Sequence, residues 1–292
     1  MPDLLHHVAL KPILYGTLVA RASGVRAIVN APVGMGFIFS SQTFLANLLR
    51  PIVKTALRSL LNPRGSKVVF ENGDDINWAI STGLVKRDSA ILIRGAGVNL
   101  ERFFPTAKPD GIPLIVLSAR MLWDKGIKEF VQAASIIKQR GIPARFILVG
   151  GEDTGNPTSI PEEQLLTWDK QGLVEWWGHK KDMASVLGQA DIACLPSYRE
   201  GLPKSLLEAA ACGLPIVTTN VPGCREVVVE GVQGFLVPAR DSCALADALI
   251  KLIVDPALRH RMGAAARVRA ENEFGSDVVI DQTLELYRAF AS

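Results

Sequence analysis

Two glutamates, Glu200 and Glu208, lie in the stretch Asp191 to Thr219, DIACLPSYREGLPKSLLEAAACGLPIVTT, with seven residues between them. A carboxylate is an acceptor for hydroxyl donors, and its value depends on what stands beside it. The stretch reads strand, loop, helix, strand. Asp191 to Leu195 is a short apolar run of the kind a buried parallel strand shows, and Pro196 ends it. Ser197, Tyr198, Arg199, Glu200 and Gly201 form a polar loop. Pro203 suits a first helical turn, where its missing N–H is no loss. Leu206, Leu207, Ala210 and Ala211 give the helix an apolar face, Gly213 fits its C-terminal turn, and Ile216 begins the next strand. The N–H groups of Gly201, Leu202, Lys204 and Ser205 are then expected at the helix start, which attracts anions and oxygen-rich ligands. Glu200 beside that terminus would accept from one sugar hydroxyl. Glu208, about two turns on, would grip a second hydroxylated ring. The plain alternative is a capped surface helix with two solvated acids.

Glu200-Gly201-Leu202-Pro203 through Glu208, then Ala211, Gly213, Pro215, Ile216 and Val217, resembles the signature of the retaining GT-B glycosyltransferases of family 4. The resemblance covers nearly the whole chain and is most specific from Pro113 to Val237. It implies an α/β protein with two Rossmann-like parallel-sheet domains facing a cleft. It also implies roles. Glu208 would hold the ribose of a nucleotide donor, and Glu200 the transferred sugar. Arg120 and Lys125, in RMLWDKG after the strand Pro113 to Ala119, would meet the donor diphosphate. Breaking a glycosyl–phosphate bond leaves extra negative charge on that diphosphate, and fixed cations with helix N–H groups stabilise it without a metal. Arg120 and Lys125 are five positions apart across a strand–helix turn, so both are expected on one cleft. Gly201, Leu202, Pro203 and Lys204 would border the donor. Trp177, Gly178 and His179, after the expected strand Val174 to Gly178, would border the base, with a core role for Trp177 equally open. Val221 to Val227 resembles a further family element, in which Gly223 and a helix start would meet donor hydroxyls or phosphate and Glu226 would contact the donor or cap the helix.

The rest of the chain must position these groups. Its 292 residues suffice for two domains, and 48% hydrophobic with 21% charged residues is ordinary for a globular protein. Expected strands at Asp3–Val8, Val25–Val29, Ser66–Glu71 and Ala90–Arg94 alternate with helices at Lys11–Ala22, Thr43–Leu61 and Asp74–Thr82, a parallel α/β pattern. His6-His7 through Lys11-Pro12 resembles a segment of members that build bacterial surface polysaccharides, and Gly34 to Phe37 resembles the loop that follows it. The resemblance therefore implies a first domain without its opening βα units. It also implies a histidine near the donor sugar. His6 fits that position better, although adjacent His7 points to the other strand face. The expected division is a partial acceptor-side domain over 1–105, a donor-binding domain over 106–274, and a helix over 275–292 that crosses back.

Charge narrows the partners. The net charge of +3 does not itself suggest nucleic acid, and the basic residues lack interleaved aromatics. From Leu4 to Phe70 there is no Asp or Glu, and Arg50, Lys54 and Arg58 share one face of the expected Thr43–Leu61 helix. That face would meet either an anionic membrane surface or solvent. Cys194, Cys212, Cys224 and Cys243 show no CxxC pairing, so free thiols are expected and no metal site. Gly150-Gly151 is no dinucleotide fingerprint. With neither a signal-peptide pattern nor a bilayer-spanning apolar run, the expectation is a cytoplasmic protein, peripheral at the inner membrane face. The expected reaction moves a sugar from a nucleotide diphosphate, UDP first, to a glycan or lipid-diphosphate-linked acceptor, without a cofactor. Two other readings are a nucleotide-sugar-binding protein without transfer, and another GT-B enzyme such as a sugar-nucleotide epimerase, with a phosphorylase weaker for want of a pyridoxal-lysine context.

Overall fold

Short apolar runs alternating with helices build two all-parallel sheets. The computed structural model describes residues 2–32, 54–107 and 111–291. The chain divides into one unit of Met1–Ala96 with Asp277–Ser292 and a second of Gly97–Ser276.

In the first unit, strands β1 (Leu4–Val8), β2 (Ala27–Ala31), β3 (Ser66–Phe70) and β4 (Ala90–Leu92) stand in sequence order. All five residues of β2 are buried, as a strand covered on both faces requires. One face packs on Ile13, Leu57 and Leu61. On the other, Val29, Val69 and Ile93 meet Val279 and Leu286 of the helix Ser276–Ala291. Strand alternation separates the two histidines. His7 is buried, its Nδ1 2.9 Å from Asn30 Oδ1, and its Nε2 has no partner. A Cβ on Gly16 would lie 2.4 Å from that Nε2, so glycine makes room for the ring. His6 is on the exposed side. Residues 54–61 are helical, with Lys54 and Arg58 exposed. Arg50, the rest of the expected Thr43–Leu61 helix and the Gly34–Phe37 loop lie outside the described residues.

In the second unit, β5 (Leu114–Ser118), β6 (Arg145–Val149), β7 (Glu175–Trp176), β8 (Ile192–Leu195), β9 (Ile216–Thr219) and β10 (Gly234–Val237) stand in the order β10-β9-β8-β5-β6-β7. The chain winds outward in one direction from β5 and in the other from β8, so the switch point lies between these two strands. Ligands of open parallel sheets bind there, beyond the C-terminal strand ends. The helices Ile127–Gln139 and Ser242–Val254 cover one face through Phe130, Ile137, Leu245 and Leu249. Lys204–Ala211 covers the other through Leu206, Leu207 and Ala210, beside Phe274.

Three expectations shift. Residues 97–105, expected in the first domain, belong to the second unit. Val98 N–H donates to the Phe274 carbonyl at 2.8 Å, Ser276 N–H donates to the Val98 carbonyl at 2.9 Å, and Phe103 is buried in the second core. The division thus falls at Ala96/Gly97 and Ser276/Asp277. The strand expected over Val174–Gly178 is only Glu175–Trp176; Gly178 takes a left-handed φ of +64°, which ends the regular extended run. Pro203 is the residue before its helix rather than within it, and its carbonyl accepts from Leu206 and Leu207 N–H. The cysteines are free, with Cys194, Cys212 and Cys224 buried. Among the described residues, no helix is long and apolar enough to cross a membrane, and no three metal-ligating side chains cluster.

Candidate active site

The loops at the C-terminal ends of β5 and β8 meet at the switch point. Lys125, from the first, and Glu200, from the second, form an ion pair with Nζ 2.6 Å from Oε1; their side chains are only 17% and 12% exposed. Nothing local holds two residues 75 positions apart in this register, so the support comes from the loop backbones. Tyr198 N–H donates to the Asp124 carbonyl at 2.9 Å, and Ser197 Oγ donates to the same carbonyl at 3.1 Å. Tyr198 O–H donates to Glu129 Oε1 at 2.8 Å on the helix Ile127–Gln139, and the Arg240 guanidinium stacks 4.4 Å from the Tyr198 ring centre. Thr219 Oγ1, at the end of β9, donates to the Ser197 carbonyl.

Two glycines permit this approach. Gly126 has φ +72°, and a Cβ there would fall 2.0 Å from the Pro196 carbonyl oxygen. Gly223 has φ +80°, and its Cβ would fall 2.4 Å from the Gly201 oxygen. Gly223 therefore seats the Glu200 loop, whatever else its turn contributes. Gly126→Ala should cost about 2–4 kcal/mol of unfolding free energy, from left-handed strain plus the backbone collision. Denaturant unfolding measures this, and a change below about 0.5 kcal/mol would refute the close packing.

Arg120 and Lys125 do not converge as two free cations. The β5 loop sends Arg120 toward β6, where it is 64% exposed and lies 2.7 Å from Asp153 Oδ2. Lys125 turns toward β8. The partner carboxylates account for the difference: Asp153 follows β6 and Glu200 follows β8, on opposite sides of β5. Lys125 nevertheless retains two N–H donors beyond the one given to Glu200, and Glu200 retains a second oxygen. The pair can thus serve an anion and a hydroxyl side by side.

Glu208 is half-buried on the helix Lys204–Ala211. Burial pushes its pKa above the ordinary carboxylate value, and the Lys204 and Arg102 charges partly offset this. Arg102 was not singled out in the sequence as a site residue. It is exposed and lies 4.0 Å from Asp182. Lys204 is exposed, and Leu202 packs against the core.

The loop after β7 lies beside the loop after β6. Gly178 oxygen accepts from Gly150 N–H at 2.9 Å. Trp177 Nε1–H donates to Glu175 Oε2 at 3.2 Å, and its ring packs on the core edge. His179 is exposed, its Cβ 3.8 Å from a Cβ placed on Gly151. In the first unit, His6 Nδ1 is 2.6 Å from the Tyr287 hydroxyl. His6 also lines a cavity of about 370 Å³ at the C-terminal strand ends, with Val8, Ala31, Glu71, Ile93 and Val279 among others. Desolvation, then His7, lowers the His6 pKa and so favours the neutral ring. Of the two histidines, His6 opens on this cavity and His7 is buried.

Paired acids and cations thus stand at the switch point of a parallel sheet, where open parallel sheets bind ligands. The chain belongs to the glycosyl transferases: residues 99–269 match the family model "Glycosyl transferases group 1". Over 298 aligned residues it is 30% identical to the N,N'-diacetylbacillosaminyl-diphospho-undecaprenol alpha-1,3-N-acetylgalactosaminyltransferase of Campylobacter jejuni, covering 98% of this chain and 76% of that protein. It is 34% identical to the capsular polysaccharide biosynthesis glycosyltransferase CapM of Staphylococcus aureus, covering 59% of this chain and 44% of CapM. Among solved structures, sucrose-phosphate synthase of Thermosynechococcus elongatus superposes with a TM-score of 0.82 at 22% identity, over 99% of this chain and 74% of that one. Anabaena HepE, in complex with UDP and glucose, superposes with a TM-score of 0.78 at 20% identity, over 98% and 78%. The fold is therefore GT-B.

Proposed function

We propose that this chain is a retaining glycosyltransferase that moves a sugar from a UDP-sugar to a hydroxyl of a lipid-diphosphate-linked or polysaccharide acceptor in bacterial surface-glycan synthesis. The observation that carries the reading is the enclosed Lys125–Glu200 pair at the switch point. One partner suits a leaving diphosphate and the other a sugar hydroxyl. The UDP in HepE and the diphospho-undecaprenol in the Campylobacter relative's name support the donor and acceptor classes.

In this reading Glu208 accepts from the ribose hydroxyls, and Glu200 accepts from the transferred sugar. Lys125, aided by Arg120 once it leaves Asp153, stabilises the diphosphate. The bond from the anomeric carbon to the diphosphate oxygen breaks, and the acceptor oxygen bonds to that carbon on the same face. The acceptor proton passes to the departing phosphate oxygen, so no protein base and no metal is required. His6, its neutral ring favoured and open on its cavity, is the candidate hydrogen-bonding group of the first unit. The site of action follows the acceptor, at the cytoplasmic membrane face.

The test is incubation with labelled UDP-glucose, UDP-N-acetylglucosamine, UDP-N-acetylgalactosamine and GDP-mannose plus an undecaprenyl-diphosphate-linked sugar. Label should enter the lipid extract from a UDP-sugar, and proton NMR of the product should show the donor's anomeric configuration. Inversion, or a glycosyl–Glu200 adduct trapped in mass spectrometry, would overturn the mechanism. Epimerised donor without transfer would overturn the reaction class.

A further inference from the structure

The first unit carries a second concavity, at the N-terminal ends of β3 and β4, the opposite end of the sheet from the His6 cavity. It encloses about 550 Å³ between helical residues 54–61 with Asn62 and the turn after the helix Gly73–Ser81. Arg58, Lys86 and Arg87 line it, with the hydroxyl-bearing Thr55 and Ser59 beside them and Ile80 and Val85 contributing apolar surface; among the described residues no carboxylate lines it. None of the three cations forms an ion pair with a carboxylate among the described residues.

One side chain locks the cation-bearing segments together. Asn62 Nδ2 donates to the Arg58 carbonyl at 2.7 Å and to the Leu84 carbonyl at 2.8 Å. Its Oδ1 accepts from Lys86 N–H at 2.9 Å. The Arg58 guanidinium reaches over Gly83, with Nη1 4.0 Å from a Cβ placed there. Nearby Asp88 uses its main-chain oxygen to hold a fourth cation, Lys67, at 2.7 Å. Gathering like charges in a concave, partly apolar site is unfavourable unless an anion neutralises them. Two guanidiniums with an ammonium and hydroxyls match the oxygens of a phosphate.

We propose that this concavity is a binding site for a phosphate ester, distinct from the reaction site and independent of the transfer reading. A membrane lipid headgroup and a soluble phosphate ester share that chemistry, and the experiment separates them. The full chain is co-sedimented with phosphatidylcholine vesicles with and without phosphatidylglycerol, and titrated calorimetrically with glycerol phosphate and inorganic phosphate. The variant Arg58→Gln/Lys86→Gln/Arg87→Gln is compared with Lys11→Gln/Arg21→Gln/Arg26→Gln, which removes the same charge from exposed residues elsewhere in the unit. Thermal melts check folding, and Arg87→Gln alone replaces the triple variant if the latter unfolds.

The expected result is binding that weakens about fivefold for each pocket cation removed, with little change in the control variant. Binding to phosphatidylglycerol vesicles assigns the lipid source. Binding to the soluble esters alone assigns the free source. Equal loss in both variants would show diffuse surface charge only, and either that outcome or no binding to any probe overturns the proposal.

Discussion

Lys125→Ala is expected to lower kcat about 100- to 1000-fold, the loss typical when a preorganised group facing developing negative charge is removed. The same substitution leaves Glu200 largely enclosed without its cation. Losing one partner of a buried pair destabilises strongly, and because a little of each side chain still reaches solvent, about 2–4 kcal/mol is expected. These effects have different origins, so they separate. Adding Glu200→Gln to Lys125→Ala removes the stranded charge and should recover most of the stability, read from denaturant unfolding. It should recover none of the activity, because neither the diphosphate cation nor the charged acceptor returns. Recovery of turnover in the double variant would mean that the pair only holds two loops together.

Glu208→Ala is expected to raise the Kd for UDP about 10- to 100-fold, the cost of losing hydrogen bonds to a charged acceptor. Its pH dependence adds a sharper mark. Burial raises the Glu208 pKa, and the ionised form is the better acceptor for two ribose hydroxyls. UDP affinity should therefore fall as pH drops through this raised pKa, starting above the ordinary carboxylate range, and Glu208→Gln should flatten that limb. Stability runs the other way. A carboxylate whose folded pKa is raised costs the folded state stability above that pKa, and the cost disappears as pH falls through it. Acidification would thus weaken nucleotide binding while relieving the free protein at this residue. Parallel loss of both would point to general acid unfolding.

The local parts of the site were legible in the sequence because they are read along a few turns of chain. Pro196, the polar loop, the Leu206–Ala211 face and Gly213 specify a strand–loop–helix unit, and the helix Lys204–Ala211 follows with its glycine turn. Pairings across the sheet were not legible. Lys125 meets Glu200 and Arg120 meets Asp153 because β5 lies between β8 and β6, an order that no local pattern encodes. The Tyr198–Glu129 bond and the seating of Gly126 and Gly223 are of the same kind. Glycine beside a candidate lysine was the one available signal of close backbone approach. The joint was displaced for a different reason. Pro105 to Pro113 has linker composition, but Val98 and Phe103 are apolar anchors that tie the preceding segment to Phe274.

The most direct test of the central claim, that the β5–β8 switch point binds a nucleotide-diphosphate donor, is calorimetric titration of the full chain and of Glu208→Ala with UDP and GDP. The expected result is one saturable site that prefers UDP and is weakened at least tenfold in the variant. Equal affinity in the two proteins, or no binding of either nucleotide, would contradict it.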